Sequence, residues 1–164
     1  MAHNNRSSKA KDDPHHTHPA EGGTANHLRI DPGSAEVGRR SLRVLVVDDD
    51  PDTADELSRT IGNWGHEVRW ISDGSAALHL AIAHRAEVAL LNIALSGMSG
   101  YAVAQELRHE PRLHGCFLLA MRWRTDRRRD KQFREADIDM FLAKPLDLLV
   151  LETLLALERD RLAS

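Results

Sequence analysis

Four polar side chains stand at points of this sequence where a buried strand would end. Asn92 follows the apolar run 88–91, and Asp48, Asp49 and Lys144 each follow a similar run. A carboxylate at the position of Asn92 could act as a nucleophile and be phosphorylated. A carboxamide cannot, because its nitrogen lone pair is delocalised and its oxygen carries no full charge. A phosphoacceptor site built on these positions would therefore have lost its chemistry.

Asp48 and Asp49 are candidate ligands for a divalent cation. Two adjacent acids at a strand end suit Mg²⁺, a hard cation that takes few protein oxygens and keeps several waters. The same acids argue against a dinucleotide-binding loop, which would carry glycines here. Asp50 is better explained as the cap of a helix that begins at Pro51. Lys144 could bind a phosphoryl oxygen or, without phosphate, neutralise the acids.

Short apolar runs alternate with helical periodicity from residue 42 onward. The pattern predicts strands at 42–47, 66–71, 88–91, 117–121 and 140–143. It predicts helices from 51 and at 76–84, 100–109, 126–136 and 147–161. Five βα units imply right-handed crossovers and an all-parallel sheet covered on both faces. The functional crevice of such a sheet lies outside the carboxyl ends of its strands. The polar residues at those ends are Asp48, Asp49, Asn92, Arg122 and Lys144.

Residues 1–40 are predicted to form a disordered tail and residues 41–162 the folded domain. The tail has almost no large apolar residues and cannot offset the entropy of ordering. Its histidines have no preset geometry, so a solvated tail is favoured over a metal site. The single cysteine, Cys116, excludes an intrachain disulfide. With a formal charge of −3 and no apolar run of spanning length, the sequence predicts a cytoplasmic protein without a membrane partner.

Three motifs occur in a specific order: LVVDDDPD at 45–52, the apolar run and Gly-rich loop at 90–101, and FLAKP at 141–145. With them, residues 42–162 resemble the receiver domain of bacterial two-component response regulators. The resemblance implies a flavodoxin-like (βα)5 fold. This is a three-layer α/β sandwich whose parallel five-stranded sheet has the strand order 2-1-3-4-5.

The resemblance also implies roles for individual residues. The metal ligands implied are the carboxylates of Asp48 and Asp49 and the backbone carbonyl of Ala94. The site lysine is Lys144, with a cis bond to Pro145. The switch aromatic is Phe141. The phosphoacceptor position holds Asn92. The small hydroxyl residue that should follow the fourth strand is Arg122. Two such departures imply a degenerate receiver, a pseudo-receiver without an aspartyl-phosphate cycle.

Arg122 leaves two arrangements open. Its guanidinium could point inward and bridge Asp48 and Asp49 in place of the metal. With Lys144, two positive charges would then balance two carboxylates. Alternatively, Arg122 points to solvent. We therefore expect no cofactor to be required and Mg²⁺ to bind weakly or not at all.

The segment from Arg122 to Arg134 is basic and is the predicted partner face, with Arg127, Arg128 and Lys131 as its contacts. In the family, the fourth helix, fifth strand and fifth helix contact partners, here a histidine kinase, an output protein or another regulator. A solvated helix with local ion pairs explains the segment comparably well. The excess of leucines at 148–157 predicts a protein interface, such as that of a homodimer, or a broad core contact.

The sequence thus predicts a stand-alone degenerate receiver in phosphorelay signal transduction that works by phosphorylation-independent protein–protein interaction. One alternative is a receiver that is phosphorylated on another acid, such as Asp49. A second is a nucleic-acid-binding adaptor that uses the arginine segment. Nucleic acid is disfavoured, because the tail is mixed in charge and no helix-turn-helix follows. An enzyme is disfavoured, because no Cys/His or Ser/His pair is placed at the crevice.

Overall fold

The structure is a computed structural model that describes residues 38–123 and 130–164. Nearly all of the predicted tail, and the first part of the predicted fourth helix, lie outside the described residues. The domain boundary at residue 41 and the disorder of the tail therefore stay predictions.

Strands and helices alternate along the described chain. The strands are β1 (Arg43–Val47), β2 (Glu67–Ile71), β3 (Val88–Asn92), β4 (Phe117–Trp123) and β5 (Met140–Lys144). The helices are α1 (Pro51–Asn63), α2 (Ala77–His84), α3 (Gly100–His109), α4 (Asp130–Glu135) and α5 (Leu148–Ala163). The predicted elements are confirmed to within two residues at each end, apart from the start of α4.

The five strands form one parallel sheet in the order β2-β1-β3-β4-β5, which confirms the predicted flavodoxin-like topology. The order in which successive strands are added to the sheet reverses at β1, which pairs with β2 on one side and β3 on the other. A crevice therefore opens beyond the carboxyl ends of β1 and β3. Asp48 and Asn92 stand at those two ends.

Each face of the sheet has its own apolar core, and alternate residues of each strand contribute to one or the other. One core, the α2–α3 face, contains Leu45, Val47, Leu91, Leu118 and Ala120 with side chains of α2 and α3. The other, the α1–α5 face, contains Val44, Val46, Leu90, Met121 and Leu142 with side chains of α1 and α5. The same alternation decides on which face of the sheet the side chain of a strand's last residue lies.

Three helices, α1, α3 and α5, come after the strands that end at the crevice, and each begins at a side-chain cap. Asp50 accepts a hydrogen bond from the Asp52 backbone N–H, and Ser99 accepts one from Ala102. Asp147 does the same for the first turn of α5. These caps confirm the predicted helix starts and hold the loops of the crevice in place.

No helix in the two described ranges is both long enough and apolar enough to cross a bilayer.

Candidate functional site

Four of the predicted site residues meet at the carboxyl end of the sheet. Asp48 is 1% exposed and Asn92 6% exposed, while Asp49 and Lys144 are half-buried. β1 carries the two acids at its end, β3 ends in Asn92, and β5 ends in Lys144. We call Asp48 and Asp49 the acid pair.

The Asn92 carboxamide lies between the two acids. Its Nδ2 donates to Asp48 Oδ1 at 3.1 Å and to Asp49 Oδ1 at 3.3 Å. Its Oδ1 accepts the backbone N–H of Ala94 at 3.1 Å. The carboxylates can only accept here and the backbone N–H can only donate, so the network fixes which end of the amide faces which partner.

The remaining oxygens of the acid pair are also engaged. Lys144 Nζ donates to Asp48 Oδ2 at 3.2 Å. Ser96 donates to Asp49 Oδ2 from its hydroxyl at 2.7 Å and from its backbone N–H at 3.0 Å. All four carboxylate oxygens therefore accept at least one hydrogen bond within the site. Ser96 was not predicted, because a loop serine carries no signal that it will turn toward a particular acid.

Ser96 also stabilises the ionised form of Asp49. The hydrogen bond from its hydroxyl is the main reason that the pKa of Asp49 lies below the usual value, and it outweighs the opposing effect of burial. The lowered pKa favours the ionised form that an aspartate has at neutral pH. With two carboxylates and Lys144, the formal charge of the site is −2 + 1 = −1, whereas an aspartate in place of Asn92 would make it −2.

The side chains as placed do not form a donor set for the Mg²⁺ that the family resemblance implies. Mg²⁺ needs oxygen ligands, but the acid pair faces the amide nitrogen of Asn92 rather than its oxygen. Across residues 38–123 and 130–164, no group of three or more His, Cys, Asp or Glu side chains could hold a metal ion. The Ala94 carbonyl as a ligand stays a prediction.

Arg122 does not bridge the acid pair, and it does not simply point to solvent. Its guanidinium carbon lies 4.0 Å from the centre of the Phe141 ring, a cation–π contact. Strand alternation explains this position. Arg122 falls on the α2–α3 face with Ala120, whereas Asn92 and Lys144 follow Leu90 and Leu142 on the α1–α5 face. Of the two arrangements that the sequence left open, the guanidinium bridge between the acids is therefore not the one adopted.

Met121 is the β4 residue that shares a face with Asn92. The two are directly paired in the parallel register, and Met121 is buried. The assignment of the hydroxyl position to Arg122 comes from the family resemblance and stays a prediction. Neither Met121 nor Arg122 carries a hydroxyl, so that group is missing from the end of β4 at both positions.

The bond between Lys144 and Pro145 is cis, which confirms that prediction. Phe141 is half-buried beneath Arg122. Of the predicted partner contacts, Arg127 and Arg128 lie outside the described residues. Lys131 is exposed and forms an ion pair with Glu135 at 3.5 Å, the local pairing typical of a solvated helix.

The most exposed large apolar side chains of the described residues lie on β4 and α5. Trp123 is 60% exposed, Leu149 72% and Leu157 62%, whereas Leu151 and Leu155 of the same helix are buried. The leucine excess of α5 is therefore exposed rather than taken up by a broad core contact. We use the name apolar patch for the exposed large apolar side chains of β4 and α5, namely Trp123, Leu148, Leu149, Val150 and Leu157. A cavity of about 360 Å³, which Trp123 and Leu148 both line, continues the patch toward Lys144.

Cys116 does not supply a nucleophile. Its side chain is buried, and burial raises the pKa of its thiol to about 12. The thiol is therefore protonated at neutral pH, whereas the thiolate is the reactive form.

Comparison with known proteins agrees with the fold. The model of the response regulator receiver domain family matches residues 44–156. The transcriptional regulatory protein PrrA of Mycobacterium tuberculosis is 34% identical over 113 residues, which cover 69% of this chain and 48% of PrrA. The transcriptional activator protein IrlR of Burkholderia pseudomallei is 29% identical over 110 residues, which cover 67% of this chain and 47% of IrlR. The chain thus spans about half the length of these relatives.

Solved structures show the same fold. The chemotaxis protein CheY4 of Vibrio cholerae superposes with a TM-score of 0.65 at 24% identity, over 70% of this chain and 97% of that one. The receiver domain of the sensor histidine kinase PA1611 from Pseudomonas aeruginosa gives a TM-score of 0.66 at 21% identity, over 74% and 99%. At this level of identity, the likeness concerns the fold.

Proposed function

The chain belongs to the response regulator receiver domain family, and within it we propose a degenerate receiver that acts by protein contact without being phosphorylated. The observation that carries the proposal is the Asn92 carboxamide at the end of β3. Its nitrogen is committed to the acid pair and its oxygen to a backbone N–H. Such a group cannot attack phosphorus. That the protein acts without an attached output domain stays a prediction.

Phosphorylation on another acid has little support. Both oxygens of Asp49 accept hydrogen bonds from Asn92 and Ser96. Asp48 is buried and paired with Lys144. Neither acid therefore presents a free oxygen to a phosphodonor. The nucleic-acid alternative depends on an arginine segment that lies mostly outside the described residues, and no observation favours it.

Wild-type protein incubated with acetyl phosphate and Mg²⁺ should stay unlabelled, because the strand-end position has no carboxylate. Intact-mass spectrometry would detect the addition of one phosphoryl group, with an ordinary aspartate-bearing receiver as the positive control. Any label should appear only in Asn92→Asp, and slowly, since neither Met121 nor Arg122 supplies a hydroxyl. A wild type that carries a phosphoryl group on Asp48 or Asp49 would contradict the proposal.

We propose that the partner is a protein that docks on the apolar patch. Side chains as exposed as Trp123 and Leu149 are typical of interaction surfaces when they are grouped. A histidine kinase, an output protein or another regulator fits, and so does a second copy of the chain. The patch is the surface that the described residues support, and the arginine segment as a partner face stays a prediction.

The test of this proposal is affinity capture from the source cells, with bound proteins identified by mass spectrometry. The baits are wild type, Asn92→Asp, Trp123→Ala and, as a matched control, Trp70→Ala, since Trp70 is a second exposed tryptophan on β2. The same partner should bind wild type with or without phosphodonor. Its recovery should fall at least about tenfold with Trp123→Ala, the scale of an interface hot spot, and persist with Trp70→Ala. A partner that binds only phosphorylated Asn92→Asp would contradict the proposal.

A further inference from the structure

We infer that the Asn92 carboxamide takes the place of a divalent cation between Asp48 and Asp49, and that it closes the acidic pocket to Mg²⁺. The inference rests on the proposed function in that it concerns the same site. It adds a mechanism by which a receiver fold holds two adjacent carboxylates together without metal. The hydrogen-bond donor is Asn92, the residue that stands at the phosphoacceptor position.

The first argument is the shape of the amide. A single NH₂ group has two N–H bonds, and each points at one carboxylate, at 3.1 and 3.3 Å. A cation between two acids would draw the same two oxygens toward one point. The amide achieves this with its two donors, and hydrogen bonds to charged acceptors are stronger than those between neutral groups.

The second argument is the cost of admitting a metal. An amide nitrogen is not a ligand for Mg²⁺, so Asn92 would have to turn its oxygen toward the acid pair. That rotation breaks three hydrogen bonds at once: the two to the acids and the one from Ala94. The other oxygens of the pair are already engaged by Lys144 and Ser96. Mg²⁺ would therefore displace internal partners rather than fill an open site.

The third argument is electrostatic. The site carries a formal charge of −1 with Asn92 and would carry −2 with an aspartate there. The attraction for a divalent cation is correspondingly weaker in the wild type. Arg122 contributes nothing to this balance by contact with the acids, since its guanidinium lies on Phe141.

The experiment is a Mg²⁺ titration followed by calorimetry, with melting curves at matched ionic strength so that screening stays constant. Four proteins are compared: wild type, Asn92→Asp, Asn92→Ala and Arg122→Ala. Asn92→Ala removes the bridge without changing the charge of the site. Arg122→Ala tests whether the arginine, rather than the amide, keeps the metal out.

Millimolar Mg²⁺ should leave the melting temperature of wild type and of Arg122→Ala unchanged. It should raise that of Asn92→Ala and, more strongly, that of Asn92→Asp, because a ligand that binds only the folded state stabilises it. The Mg²⁺ dissociation constant of Asn92→Asp should be at least about tenfold lower than that of wild type, a difference in binding free energy of about 1.4 kcal/mol.

Three results would overturn the inference: a wild type that Mg²⁺ stabilises as much as Asn92→Asp, an Asn92→Ala protein as insensitive as wild type, or a response gained by Arg122→Ala. If Asn92→Asp unfolds without metal, Asn92→Ala still decides the matter. Failure here is separable from failure of the proposed function. A wild type that binds Mg²⁺ but takes no phosphoryl group would refute only the bridge, whereas phosphorylation of the wild type would refute the proposed function.

Discussion

Asp48→Ala should lower the free energy of unfolding by about 3 kcal/mol, the scale expected when one partner of a buried ion pair is removed. The Asp48 side chain is buried and accepts from Lys144, Asn92 and the backbone N–H of Asp50. Alanine would leave all three donors without this acceptor. Lys144 would suffer most, because its side chain is 15% exposed and its charge would lose its nearest carboxylate.

Urea unfolding curves at neutral pH would measure the effect, and Asp50→Ala is the matched control. It removes the same charge from the adjacent position, but Asp50 is exposed and serves as the cap of α1. Its loss should cost only about 1 kcal/mol. Equal losses for the two variants would show that the buried pair adds nothing beyond a helix cap.

A double-mutant cycle with Lys144→Met isolates the pair itself. Lys144→Met alone leaves Asp48 buried without its cation, whereas Asp48→Ala with Lys144→Met removes both charges. The double variant should be more stable than the sum of the two single losses predicts, by about 1–3 kcal/mol. A coupling near zero would mean that solvent screens the contact despite its burial.

The elements and the topology could be predicted because local signals agree with the global fold. Val88–Asn92 is apolar until its last residue and is buried throughout, as a central strand of a parallel sheet must be. Asp50, Ser99 and Asp147 are good caps placed directly before helical periodicity, and each of them does cap a helix. The family motifs then supplied the strand order.

The sequence predicted four members of the site and the pairing of Lys144 with the acids, but not the other contacts. Asp48, Asn92 and Lys144 converge because parallel strands end at one edge of the sheet. Arg122 was considered for the pocket because it stands at the end of the fourth predicted strand. Counting alternate residues along β4 would have assigned its side chain to the opposite face of the sheet. That signal was present in the sequence.

Other contacts had no signal in the sequence. The turn of Ser96 toward Asp49 depends on the path of the loop after β3, which no periodicity encodes. The exposure of Leu149 and Leu157 depends on which side of α5 packs against the sheet. The sequence of such a helix shows that its apolar side chains occupy more than one side, but not which side stays exposed to solvent.

Gly100→Ala should destabilise the fold by about 3 kcal/mol, at the upper end of the cost of overpacking a core. Gly100 opens α3, is buried, and donates its N–H to the Ile93 carbonyl at 3.1 Å. A Cβ at this position would lie 2.3 Å from the Asn92 carbonyl oxygen and 2.8 Å from Ile93 Cα. Both are backbone atoms, so no side-chain rotation relieves the clash. Either α3 or the end of β3 must move.

The clash bears on the site because it falls on the backbone of Asn92. If β3 yields, the carboxamide shifts from the acid pair, and the variant should begin to respond to Mg²⁺. Gly62→Ala is the control, since a Cβ there meets nothing within 4 Å inside α1. It should stabilise the protein by about 0.5–1 kcal/mol, because alanine favours helix. Urea unfolding compares the two variants. A Gly100→Ala protein as stable as wild type would show that α3 does not begin against the end of β3.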